Sequence, residues 1–243
     1  MAFAKFVIAG LKVSMDIRSD MMTSRSEKYL CDFSGEPDIV IPYREDRIAA
    51  LQKHYPKSTL NEFEYICTHV DFYTSIIKYK GFMLHSSAVS YGGKAYLFTA
   101  DSGTGKSTHT SLWADNIKGA EILNDDKPAI RIIDGEAMAF GTPWSGKTEQ
   151  NVNKGVKVGA VAVLKRGTVC SICEADGKTI ALNLLRQTMN SPEEGGTELL
   201  LDTLNEFSGL VPIYDFAADI SLTALKTSFE KMTGEKLPKE IKA

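Results

Sequence analysis

Apolar and polar positions along the chain follow two different periods, and the changes between them mark its elements. Residues 6–17 alternate and predict a first strand, to which the mildly apolar start of the chain also belongs. Residues 45–53 and 61–78 read as helices separated by Pro56. From Gly81 the pattern turns strand-like. Residues 83–91 and 94–99 flank Gly92-Gly93, a hairpin signal, and residues 129–133 and 136–140 flank Asp134-Gly135, a second one. Between them, residues 121–124 form a short apolar strand ending in Asp125-Asp126, and residues 158–164 and 169–174 predict two more strands. Helical spacing then returns over 180–189 and 197–207. Near the end Leu222, Leu225, Phe229 and Met232 make one apolar stripe, with Ser221 to cap its start and Gly234 its end. There is no internal repeat or low-complexity tract. Residues 1–80 therefore read as an N-terminal α/β portion packed on the core, a cap or substrate-side element, and residues 81–243 as the core with its C-terminal helices.

Composition narrows the function class. At 243 residues the chain suits one large domain or one with an appendage, and 43% hydrophobic with 24% charged residues is ordinary for a soluble globular protein. A net charge of −3 without a long basic run gives no support for nucleic-acid or anionic-membrane binding. No apolar stretch approaches the roughly 18 residues of a membrane helix. The N-terminus lacks the basic stretch of a signal peptide. Cysteines fall at 31, 67, 170 and 173. Cys170 and Cys173 stand in C-x-x-C spacing, but no second pair or nearby histidine completes a zinc site, and strand alternation turns the two sulfurs to opposite faces. Reduced thiols and a cytoplasmic location are the expectation.

The chemistry centres on Ala100-Asp101-Ser102-Gly103-Thr104-Gly105-Lys106-Ser107. It matches the phosphate-binding pattern G-x-x-x-x-G-K-[ST] except that Ala100 replaces the first glycine. In such a loop, backbone N–H groups nest around phosphate oxygens, the lysine reaches the terminal phosphates and the hydroxyl holds Mg²⁺. The flanks agree: a strand precedes, and residues 108–114 can open a helix whose N-terminus adds positive potential. A ligand-free Gly/Ser turn would explain the glycines but not Lys106 and Ser107 together.

Phosphoryl transfer also needs carboxylates to hold metal and orient a nucleophile. Asp125-Asp126 supplies two at the end of a strand, although Asn124-Asp125-Asp126-Lys127-Pro128 is equally a favourable turn. If the strands around Gly92-Gly93 pair, His85 can sit near the phosphate end of the sheet and hydrogen-bond an aspartate, whereas local sequence alone reads it as a satisfied, partly buried histidine. His109 begins the loop helix and reads as packing or bonding locally; His54 and His69 have no visible partners. Gly141-Thr142-Pro143-Trp144-Ser145-Gly146-Lys147 is a loop by composition. Lys147 can pair with a phosphate, and Trp144 is either a ligand contact or a packing anchor.

Together His85, the loop at 100–107, Asp125-Asp126 and residues 142–147 resemble the HPr kinase/phosphorylase and PEP carboxykinase superfamily, in its short HPr-kinase-like branch. HPr kinases carry a histidine about fifteen residues ahead of G-D-S-G-x-G-K-S and a D-D pair after it; His85 precedes Ala100 by fifteen. The likeness spans about residues 81–170. It implies an α/β (α+β) fold, a twisted mixed β-sheet with flanking helices around a P-loop. It implies ATP as donor and Mg²⁺ as cofactor. Asp101 to Thr108 and Lys147 would contact the nucleotide, with Lys106 on the β/γ-phosphates. Ser107 and Asp125 would hold Mg²⁺, and Asp126 would act as base with His85 in support. The acceptor would be a hydroxyl of a peptide, protein or small molecule. HPr kinases are hexamers, which leaves a homo-oligomer open. The chain lacks the glycine-rich C-terminal signature that engages HPr, and it is about half the length of a PEP carboxykinase. A kinase is the leading expectation; a non-catalytic nucleotide-binding module and a small PEP-carboxykinase-like lyase are the alternatives.

Overall fold

The structure is a computed structural model that describes residues 3–238. It begins with a hairpin, β1 (Ala4–Ile8) and β2 (Leu11–Met15), where the alternation suggested one strand over 6–17. Ala9 and Gly10 form the two-residue turn with φ of 53° and 74°, the conformation of a tight hairpin. Alanine rarely adopts it, so no turn signal stood out. Helix α1 (Asp20–Ser26) follows, then β3 (Ile39–Ile41), which pairs parallel to β2 and completes a three-stranded sheet. Helices α2 (Glu45–His54) and α3 (Leu60–Ser75) come next, α3 opening on a capping box between Thr59 and Glu62. Glu64 on α3, only 2% exposed, accepts from the Arg18 N–H at 2.6 Å, the Ser19 N–H at 2.9 Å and the Ser19 hydroxyl. A buried carboxylate satisfied this way fixes the start of α1 against α3.

The second sheet holds nine strands. The expected strand over 83–91 divides into β4 (Gly81–Met83) and β5 (Ser86–Tyr91). The break leaves His85 out of both ladders. Its N–H instead donates to Gln187 O at 2.7 Å, and that of Ser86 to Asp126 O at 3.2 Å. The remaining elements are β6 (Lys94–Thr99), α4 (Lys106–Asn116), β7 (Glu121–Asn124), β8 (Ala129–Ile133), β9 (Glu136–Phe140), β10 (Gly155–Arg166), β11 (Ser171–Glu174), α5 (Gly177–Gln187), α6 (Gly196–Leu210), β12 (Ile213–Ala218) and α7 (Leu222–Thr233). Both expected hairpins form, and Ser221 and Gly234 cap α7. Strand β12 was not anticipated. It is short, follows Pro212, and carries Asp215, which pairs with Lys165 at 2.8 Å.

The order is β4-β8-β9-β10-β6-β5-β7, with β12 added along the second half of β10 and β11 outside it. β10 runs parallel to β6 and β12, while β5 is antiparallel to both β6 and β7. The sheet is therefore mixed, and β6, β7, β10 and β12 all point their C-terminal ends to one edge. Leu184, Leu200, Leu204 and Phe207 cover one face; Trp113, Leu225, Phe229 and Met232 cover the other. A third cluster joins the small sheet and Phe72, Tyr73 and Ile76 to Met83, Ala129 and Trp144. No helix among the described residues is long and apolar enough to cross a membrane.

Candidate functional site

At the edge where those strands end, Ala100–Gly105 turns out of β6 into α4. Gly103 and Gly105 have φ of 77° and 118°, and a Cβ at either would meet nothing within 4 Å. Conformation rather than space selects glycine at both positions. Gly105 is the N-cap of α4 and no side chain among the described residues caps the helix, so its first-turn N–H groups stay available at the cleft. Lys106 is 7% exposed and donates to Ala100 O at 2.8 Å and Asp101 O at 3.4 Å. Burial lowers its pKa, against the opposing pull of Asp126, Asp125 and Asp101.

Asp125 is nearly enclosed. Ser107 donates to its Oδ1 and Thr148 to its Oδ2, each at 2.8 Å. A carboxylate beside a hydroxyl is a hard-oxygen pair suited to Mg²⁺, which takes one or two carboxylates and completes its shell with phosphate oxygens and water. No group of three or more His, Cys, Asp or Glu side chains among the described residues forms a separate metal cage.

Asp126 faces differently. Its φ is +80°, and the Lys127 N–H donates back to Asp125 O at 3.1 Å, so the backbone turns sharply between the two carboxylates. A non-glycine residue held there stores strain of about 1–3 kcal/mol. The Asp126 carboxylate contacts Lys127 Nζ and lies 3.2 Å from His85 Nε2. Burial opposes its ionisation, but the hydrogen bond from His85 and the charge of Lys127 outweigh that and hold its pKa below the usual carboxylate range. Behind His85 stands Gln187. Its amide nitrogen donates to Asp101 Oδ1 at 3.0 Å, which turns its carbonyl oxygen to His85 Nδ1 at 2.8 Å. Nδ1 therefore carries a hydrogen, and a hydrogen bond between Nε2 and Asp126 needs one further proton shared by that pair.

Residues 141–148 close the far side. A Cβ on Gly141 would fall 1.9 Å from Val152 O and 2.7 Å from Leu123 O, so only glycine fits. Asn124 accepts from the Thr142 N–H at 2.8 Å and ties this loop to β7. Trp144 is an anchor. It is fully buried, its ring centroid lies 4.7 Å from that of Phe72, and its Nε1 donates to Thr68 at 3.2 Å.

A cleft of about 570 Å³ thus gathers Ser102, Gly103, Gly105 to Thr108, His85, both aspartates and Lys147. Asp101 and Thr104 instead line an adjoining groove with Gln187. His109 is outside this set as a polar group: it is buried against Phe98 and Phe216 and bonded to Ser228, although it borders a further groove beyond the loop. Gln187, Thr148 and Lys127 were missed in the sequence. Thr148 adjoins a loop already singled out; Gln187 sits at a helix end with no local mark.

No protein-family model matches the chain, and neither does any curated protein. Among solved structures it is similar to the Hpr(Ser) kinase/phosphatase from Coxiella burnetii, with a TM-score of 0.34 and 11% identity over 63% of this chain and 93% of that one. A likeness that low carries no functional weight.

Proposed function

We propose that the protein is an ATP- and Mg²⁺-dependent phosphotransferase acting on a hydroxyl. The observation that carries this reading is the joining of two sets in one cleft: Lys106 and Ser107 with Asp125, and Asp126 with His85. The free N–H groups at the start of α4 and Lys106 would bind the donor's phosphates. Ser107 and Asp125 would hold Mg²⁺, which supplies charge neutralisation on the phosphate oxygens. Asp101 to Thr108 would surround the nucleotide, with Lys147 on the opposite wall. A groove of about 800 Å³ on the other side of Gly103–Gly105, floored by Leu164 and Ala218, suits the nucleoside. Asp126 would receive the acceptor's proton with His85 in support. The division at residue 80, with the N-terminal part on the acceptor side, belongs to the same proposal.

The test is ADP release and phosphate transfer with Lys106→Ala and Asp126→Asn. Both variants are expected to lose activity by about 10²–10⁴-fold. Unchanged activity in both would sink the mechanism. Tight nucleotide binding without transfer to any acceptor would instead support a non-catalytic binding module, and oxaloacetate consumption with a nucleoside triphosphate would support a lyase.

A further inference from the structure

A second pocket, of about 420 Å³, opens on the other side of Asp126. It shares Asp126, Gly146 and Lys147 with the cleft described above, so these residues form an open partition along which the two spaces meet. Its outer wall comes from the N-terminal part of the chain: Met21 and Arg25 on α1, Tyr65 and Ile66 on α3. The wall is fixed to the partition directly. The Gly146 N–H donates to the Tyr65 hydroxyl at 3.2 Å, and Arg25 Nη1 donates to Gly146 O at 2.9 Å.

Three cations line the pocket, Arg25, Lys127 and Lys147, against the carboxylates of Glu62 and Asp126, with Glu149 beside Arg25 just beyond the lining. Glu62 is already engaged, accepting from the Thr59 N–H at 2.7 Å. The Arg25 side chain is 10% exposed. Its Nη2 donates to Glu149 at 3.0 Å, yet its Nε is buried with no partner among the described residues. A buried N–H without an acceptor is costly, at roughly 1–3 kcal/mol. Lys147, at the rim, is exposed and has no ion-pair partner among the described residues. Met21, Ile66 and the Tyr65 ring supply an apolar surface between these cations.

We infer that this pocket is the acceptor site and that its occupant is a small hydroxy acid, one hydroxyl and one carboxylate on a compact apolar frame. The inference rests on the phosphotransferase reading. The carboxylate meets Arg25 and Lys147, which directs the hydroxyl to Asp126 at the partition. The acceptor oxygen then bonds to the γ-phosphorus as the bond from that phosphorus to the ADP oxygen breaks, and the hydroxyl proton passes to Asp126. The volume lies in the small-molecule range of about 300–1,000 Å³.

The experiment compares N-acetyl-L-serine with N-acetyl-L-serinamide, which keeps the hydroxyl but replaces the carboxylate with the amide of a residue inside a chain. Methyl NMR signals of Met21 and Ile66 report binding to the full chain loaded with ADP and Mg²⁺. The acid is expected to shift both methyls at a Kd at least tenfold below that of the amide. Ile66→Trp, at a half-exposed position, is expected to weaken acid binding at least tenfold and leave nucleotide affinity within twofold. Equal affinities for acid and amide, no shift with either, or an indifferent Ile66→Trp would overturn the assignment. Acid binding at the pocket without phosphoryl transfer from ATP would support the ligand class while sinking the kinase reading.

Discussion

Asp125 and Asp126 are neighbours in the chain but belong to two differently built halves of the site. Asp125 joins the half proposed to bind phosphate, where Ser107 and Thr148 reach it from 18 and 23 residues away and one short loop adds Lys106 and its backbone N–H groups. Asp126 joins a half assembled from distant segments. Arg25 reaches Gly146 across 121 residues, and His85 reaches Gln187 across 102. The loop of the first half is a local conformation, and glycine, lysine and serine at fixed spacing write it. The second is made of side chains placed by packing, and each of them is an ordinary residue in its own segment.

Exchanging one carboxylate at a time separates the halves most sharply. Asp126→Asn is expected to lower phosphoryl transfer by about 10²–10⁴-fold while nucleotide affinity stays within a few-fold. Asp125→Asn is expected to weaken nucleotide binding in the presence of Mg²⁺ and change little in its absence. Calorimetric titration with and without the metal, beside a transfer assay, reads both. Identical profiles for the two variants would mean the halves are not functionally distinct.

Trp144 holds the assembled half to the small N-terminal sheet. Trp144→Ala removes a fully buried indole stacked on Phe72 and is expected to cost about 3–5 kcal/mol, measured by urea denaturation. A loss under about 1 kcal/mol would show that the loop at 141–148 is held from the β7 side alone.

Each half also carries a buried histidine, and pH distinguishes their packing. Burial lowers the His69 pKa to about 3, with Lys127 adding to the effect, and burial lowers that of His109 to about 4. The unfolded chain takes up a proton near 6.5, whereas the folded chain resists until far lower pH. Stability is therefore full above about 6.5 and falls as pH drops through that value. The slope is about 1.4 kcal/mol per unit for each histidine, or about 2 kcal/mol each by pH 5. Urea midpoints at pH 7 and pH 5 for the wild type, His69→Phe and His109→Phe check this. Each variant is expected to show a smaller drop than the wild type, and equal drops in all three would place the loss elsewhere.

The same division explains what could be read from the sequence. Hairpins at Gly92-Gly93 and Asp134-Gly135, the capped helix α7 and the turn at 100–105 are local, and their residues announce them. Strand β12 and the break at Leu84-His85 depend on partners far along the chain. His85 could be nominated from its distance to the loop, but the reason it faces Asp126 is Gln187, at the end of a helix whose apolar spacing gave that residue no role. Arg25 and Tyr65 had no signal, because their value lies in a pocket that exists only after α1 and α3 pack beside Gly146.

The smallest effect tests whether the two halves communicate. Asp101 stands in the loop after β6, and the hydrogen bond from Gln187 to Asp101, with the one that Gln187 accepts from His85, makes a continuous polar path to Asp126. A path of this kind has a direction. The Asp101 carboxylate can only accept, so the Gln187 amide is oriented, and that orientation selects the protonated nitrogen of His85. Gln187→Leu keeps the bulk of the side chain and removes both bonds, so His85 loses the partner that holds its ring toward Asp126. The expected result is a fall in kcat of about tenfold, or about 1.4 kcal/mol, with KM for the nucleotide little changed. Asp101→Asn offers the glutamine a donor as well as an acceptor and is expected to give a smaller fall of the same kind. The double variant is expected to be no worse than Gln187→Leu alone, since one path cannot be cut twice. Additive losses would mean that Asp101 acts on the nucleotide directly and that the loop and the base are set independently.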